Sequence, residues 1–113
     1  LLSPCCTLSG KGVATCTSTN VFNLTITLDQ TIPSFPDSIG IIINAQSAPI
    51  VLGTYIPGTK TITATGITFP SGITNTTVDV GVEVLFPVNS DDSLGIYHSF
   101  IVPNVTFNGN PCD

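Results

Sequence analysis

The chain has 113 residues, enough for one domain with a single hydrophobic core. Only 8% of residues are charged against 42% hydrophobic, the net charge is −5, and Lys11 and Lys60 are the only basic residues. Two lysines cannot build a phosphate-neutralising patch, which excludes nucleic acid and anionic membranes as partners, and no apolar run reaches the roughly 18–20 residues of a membrane span.

Residues 1–11 hold Pro, Ser, Gly and two cysteines without strand patterning, and are predicted to form an extended N-terminal connector arm ahead of a β-sandwich over 12–113. Leu1 and Leu2 are its candidate anchors. A Leu-Leu start in a chain without Met fits removal of an export signal. Cys5 and Cys6 are adjacent, and a ring across one peptide bond strains both the disulfide torsion and the peptide plane, so each needs a separate partner. Cys16 and Cys112 are the two remaining cysteines, in the same molecule or in neighbours. In neighbours, they make the arm a covalent connector; in the same molecule, they make it a stapled terminus.

From Val21 onward the pattern has period two. Phe22, Leu24, Ile26 and Leu28 alternate with Asn23, Thr25 and Thr27, predicting a strand with one inner face. Ile39 to Ile43 and Ile50 to Ile56 are apolar on both sides, as in strands covered on both faces. Thr61 to Ala64 and Ile67 to Phe69 are shorter candidates. Val78, Val80, Val82 and Val84 oppose Thr77, Asp79, Gly81 and Glu83, the cleanest strand in the chain. Leu94, Ile96, His98 and Phe100 define another, and Val105 to Phe107 a short last one. Turn residues recur every 8–12 positions, the rhythm of an all-β, single antiparallel β-sandwich or jelly roll.

Catalytic and metal chemistry find little footing. His98 is the single histidine and shares a face with apolar residues, which leaves a nucleophile without a base. The cysteines lack zinc-ligand spacing. Asp91-Asp92 lacks the spaced oxygen ladder of a calcium loop. Asp79 and Glu83 share a strand face at about 13 Å, too far apart for an acid–base pair. An isopeptide from Lys11 or Lys60 to an Asn, promoted by Glu83, is the remaining covalent chemistry. The reading is therefore a non-enzymatic protein without cofactor or metal. Three sequons, at Asn23, Asn75 and Asn104, are acceptors for N-glycans on an exported chain. Seventeen threonines and few charges describe a hydroxyl-rich surface suited to secreted or assembled proteins.

Leu2, Cys5-Cys6, Cys16 and the ending Gly109-Asn110-Pro111-Cys112 together resemble the subunits of bacterial endospore appendages, with nine residues between Cys6 and Cys16, slightly fewer than is usual there. The resemblance covers the two termini. It implies a jelly-roll body and an arm whose thiols bond Cys16 and Cys112 of other subunits along a fibre. The design is also similar to archaeal surface threads and bundling pili, which insert an N-terminal strand into the next molecule. The expectation is a structural subunit of an extracellular filament on a cell or spore surface, a homopolymer joined by strand addition, intermolecular disulfides or both. The alternative is a small secreted, disulfide-stapled sandwich that binds carbohydrate or surfaces.

Overall fold

The computed structural model describes residues 8–18, 21–32, 36–43, 50–68, 76–86 and 97–108. These form seven strands: β1 (Gly10–Ser18), β2 (Val21–Leu28), β3 (Ser38–Ile43), β4 (Ile50–Tyr55), β5 (Thr61–Thr68), β6 (Thr76–Leu85) and β7 (Tyr97–Phe107). The expected alternation sets the inner faces. Phe22, Leu24, Ile26 and Leu28 on β2, Ile39, Ile41 and Ile43 on β3, and Val80, Val82 and Val84 on β6 are all buried. Each such side chain contributes roughly 1.5–3 kcal/mol of burial. Among the described residues the core contains no buried polar or charged side chain.

Every pairing is antiparallel, in the order β1-β2-β5-β4-β3-β6-β7. The all-β antiparallel sandwich expected from the alternation is the fold. Two layers face each other, β1, β2, β5 and β4 over β3, β6 and β7. β4 joins the two layers by changing partner: Ile50 to Gly53 pair with β3, and Thr54 and Tyr55 pair with β5. Phe22 and Phe107 meet edge to face across the core, with ring centroids 5.2 Å apart. The ends of the sheet, β1 and β7, lie against each other and nearly close it into a barrel.

β1, which carries no apolar alternation, explains that closure. Its inner positions are Gly12, Ala14 and Cys16, and its larger Lys11, Val13 and Thr15 point outward. A Cβ on Gly12 would stand 3.0 Å from a Val105 methyl and 3.4 Å from a Val102 methyl. Small residues are what let β1 settle onto β7.

Two strands are longer than the sequence pattern indicates, because each contains a bulge that resets its alternation. On β5, Thr65 and Gly66 together oppose Asn23, since Phe22 faces Ile67 and Leu24 faces Ala64. On β7, Pro103 and Asn104 together oppose Asp79, since Val78 faces Val105 and Val80 faces Val102. Gly66 (φ 68°) and Asn104 (φ 57°) adopt the left-handed conformation that such a bulge requires. In both, the side chain of the single opposing residue accepts the hydrogen bond of the left-handed residue's N–H: Asn23 Oδ1 from Gly66 at 3.3 Å, and Asp79 Oδ1 from Asn104 at 3.1 Å.

The body begins earlier than the predicted boundary after residue 11. Leu8 is 2% exposed in the core, its N–H donates to His98 Nε2 at 3.3 Å, and Ser9 exchanges hydrogen bonds with Asp29 through N–H to Oδ1 (3.2 Å) and carbonyl to N–H (2.9 Å). Residues 8–11 therefore belong to the sandwich, while 1–7 of the predicted arm lie outside the described residues. Between β4 and β5, Pro57 and Gly58 (φ 78°) make a type II turn closed by Thr59 N–H to Ile56 O at 3.2 Å. The buried Tyr55 hydroxyl donates to Thr59 O and accepts from Ile32 N–H at 3.2 Å, tying the connection after β2 to this turn.

Candidate assembly surfaces

Of the predicted cross-link residues, Cys5, Cys6 and Cys112 lie outside the described residues, as do the anchors Leu1 and Leu2, the sequon residue Asn75 and the Asp91-Asp92 pair. Cys16 is half-buried on β1 opposite Phe22 and is disulfide-bonded, to a partner outside the described residues. A disulfide sulfur has no proton to donate, so its 2.9 Å approach to Ser18 O is a packing contact. Asn23 and Asn104 are exposed, each at one of the two bulges that hold a left-handed residue. The sequence did not signal their shared geometry, although the Pro103-Asn104 pair is a turn-forming context.

The first surface is the seam between β1 and β7. Among the described residues the ladder of β1 is with β2 and that of β7 with β6, and β1 and β7 lie against each other. Beside Ser9 and Gly10 the seam widens into a groove of about 500 Å³, also lined by Lys11, Leu28, Asp29, Ile101 and Pro103. Its floor is apolar, and Lys11 and Asp29 stand on its rim.

The second surface is the outer face of β4, β3, β6 and β7. The ladders line up two rows across it: Leu52, Gly40, Glu83 and Ser99, then Ile50, Ile42, Gly81 and Ile101. Leu52 is 75% exposed, Ile101 57% and Leu85 42%, three of the five large exposed hydrophobics of the described residues. Ile42, predicted to be covered, is half-buried here. Gly81 leaves a hollow of about 330 Å³ between Ile42 and Ile101, with Glu83 and Ser99 at its edge.

His98 sits half-buried beside Phe100, with ring centroids 6.0 Å apart, and its Nε2 accepts the Leu8 N–H at 3.3 Å. Asp79 and Glu83 share the outer face of β6, and Asp79 is engaged by the Asn104 N–H. Among the described residues no three His, Cys, Asp or Glu side chains gather, and no helix is long and apolar enough to cross a membrane. No family model, curated protein or solved structure matches the chain.

Proposed function

We propose that the protein is a structural, non-enzymatic subunit that assembles with copies of itself into an extracellular filament, using its N-terminal segment as the connector. The apolar groove between β1 and β7 carries this reading. The groove lies between the two end strands of the sheet, beside Ser9 and Gly10 at the start of the described body, and offers an apolar seat for an added segment. Seven residues span at most about 24 Å when extended, enough to reach a subunit in contact. The near-uncharged, Thr-rich surface lets subunits pack without strong repulsion. In an export host that glycosylates, Asn23 and Asn104 are exposed acceptors.

The second reading is a secreted stapled sandwich that binds carbohydrate or surfaces, in which the Cys16 disulfide serves as an internal staple rather than a link. Electron microscopy of the untreated protein, beside electrophoresis after boiling in detergent with and without reductant, separates the readings. Fibres, with ladders that collapse only on reduction, support the covalent filament; fibres without ladders support strand addition alone. Deleting residues 1–7 abolishes fibres if that segment is the connector. Monomer in both lanes and empty grids favour the binding module.

A further inference from the structure

Cys16 is disulfide-bonded, and the placement of the two end strands decides which cysteine can be its partner. The sequence holds three others, Cys5, Cys6 and Cys112. β1 and β7 lie against each other and run in the same sense, because six successive antiparallel pairings lead from one to the other and an even number restores the direction. Three contacts set their relative height. At one end the Leu8 N–H meets His98 Nε2, and in the middle a Cβ on Gly12 would touch Val102 and Val105. At the other end Phe22, the ladder partner of Cys16, packs edge to face on Phe107. Cys16 therefore stands level with the last residues of β7, and Leu8, the first described residue, stands at the opposite end.

Chain length then separates the candidates. From Leu8 to Cys16 is eight residues of extended chain, roughly 26 Å. Cys6 lies two residues before Leu8 and Cys5 three, so fully extended they reach back at most about 7 Å and 11 Å, and a disulfide spans no more than about 7 Å between Cα atoms. Both fall short of their own Cys16 by roughly 8 Å or more. Cys112 follows Asn108 by four residues, a reach of about 14 Å from the end of β7 where Cys16 already stands. Cys16 also lies on the inner face of β1, packed against the core, where a short tether from the same seam meets it at high effective concentration. We propose that Cys16 and Cys112 of one chain form a disulfide that latches β1 to the chain beyond β7, leaving Cys5 and Cys6 as the thiols available to a second molecule.

The bond forms by exchange with a small-molecule disulfide. One cysteine's thiolate attacks the reagent and expels one of its thiols, and the second thiolate attacks the resulting mixed disulfide and expels the other. The protein gives up two protons and two electrons, and the reagent leaves as two thiols. This pairing differs from the one that the endospore-appendage resemblance implies, in which Cys16 and Cys112 receive the thiols of other subunits. It holds for a lone molecule as for a filament, and in a filament it routes covalent links between subunits through Cys5 and Cys6, which strain keeps from bonding each other.

Lys11 and Lys60 are the only basic residues, so trypsin cuts the chain into 1–11, 12–60 and 61–113, with Cys5 and Cys6 on the first peptide, Cys16 on the second and Cys112 on the third. Equal parts of isotope-labelled and unlabelled full chain are reduced, mixed, reoxidised with glutathione disulfide, blocked at free thiols and digested without reductant for mass spectrometry. The expected product is 12–60 joined to 61–113, with both peptides labelled or both unlabelled. Peptide 1–11 joined to 12–60, the 12–60 and 61–113 pair with only one member labelled, or a blocked thiol at Cys16 each overturns the proposal. Thermal melts supply a second readout: Cys16→Ser and Cys112→Ser each lower the midpoint by about 10 °C or more, and together by no more than either alone, whereas Cys5→Ser with Cys6→Ser leaves it within about 2 °C. A Cys112→Ser midpoint equal to that of wild type also overturns it. Fibre formation scored by microscopy reports the filament reading separately, because the link is expected in monomer and fibre alike.

Discussion

Asp79 Oδ1 accepts the N–H of Asn104 at 3.1 Å, and that bond secures the one left-handed non-glycine residue among those described. Asn23 and Gly66 repeat the arrangement on the opposite layer. Asp79→Ala removes the acceptor at an exposed site and is expected to cost about 1 kcal/mol or less. Asn104→Gly relieves the backbone and leaves stability unchanged or slightly raised, whereas Gly66→Ala loses about 1–2 kcal/mol. Urea denaturation midpoints at constant m-value measure all three. A loss for Asn104→Gly equal to that of Gly66→Ala would contradict this account of the bulge.

Tyr55→Phe keeps the ring in the core but strands the buried Ile32 N–H and frees Thr59 O. The expected loss is about 1–3 kcal/mol, with faster amide exchange at Ile32, read by hydrogen–deuterium exchange. Unchanged exchange at Ile32 would mean the hydroxyl clamps nothing.

Leu8→Ala should cost about 2–5 kcal/mol, the penalty of emptying a core site, although Leu8 precedes the first strand. His98→Phe keeps a ring beside Phe100 and removes the acceptor for Leu8 N–H, so it should cost less than emptying the Leu8 site while speeding exchange at that amide. Equal, small effects for both would return residues 8–11 to the arm.

Gly12→Val drives a branched side chain into Val102 and Val105 and should destabilise by about 1–3 kcal/mol or more, by prising β1 from β7. Val13→Thr, one position along and facing out, should fall within about 0.5 kcal/mol of wild type. Thermal melts of the pair show whether the seam depends on small inner residues.

Alternation made β2, β3 and β6 legible because large apolar side chains occupy every inner position from Phe22 to Leu28, Ile39 to Ile43 and Val80 to Val84. β1 was illegible for the opposite reason: Gly12, Ala14 and Cys16 are inner residues chosen for smallness, which no hydrophobic period detects. β5 and β7 read as fragments because Gly66 and Asn104 shift the phase midway, and local pattern reading takes a phase shift for a break. The doubly apolar run Ile39 to Ile43 indicated cover on both faces, but its outer residue Ile42 borders an open hollow. The assembly surfaces were hidden for a related reason. The seam and the rows across β4, β3, β6 and β7 arise from register between distant segments, and Gly81 gains meaning only once Ile42 and Ile101 are known to flank it.

The bulges also fix where the gene can shorten. Thr65-Gly66 and Pro103-Asn104 each hold one residue more than the facing strand, so losing codon 66 or 104 leaves Ile62, Ala64 and Ile67, or Val102, Val105 and Phe107, in unbroken inward alternation. Losing codon 63 or 106 would instead turn the downstream hydrophobics to solvent. Length variants in these two strands should therefore cluster at the surplus positions.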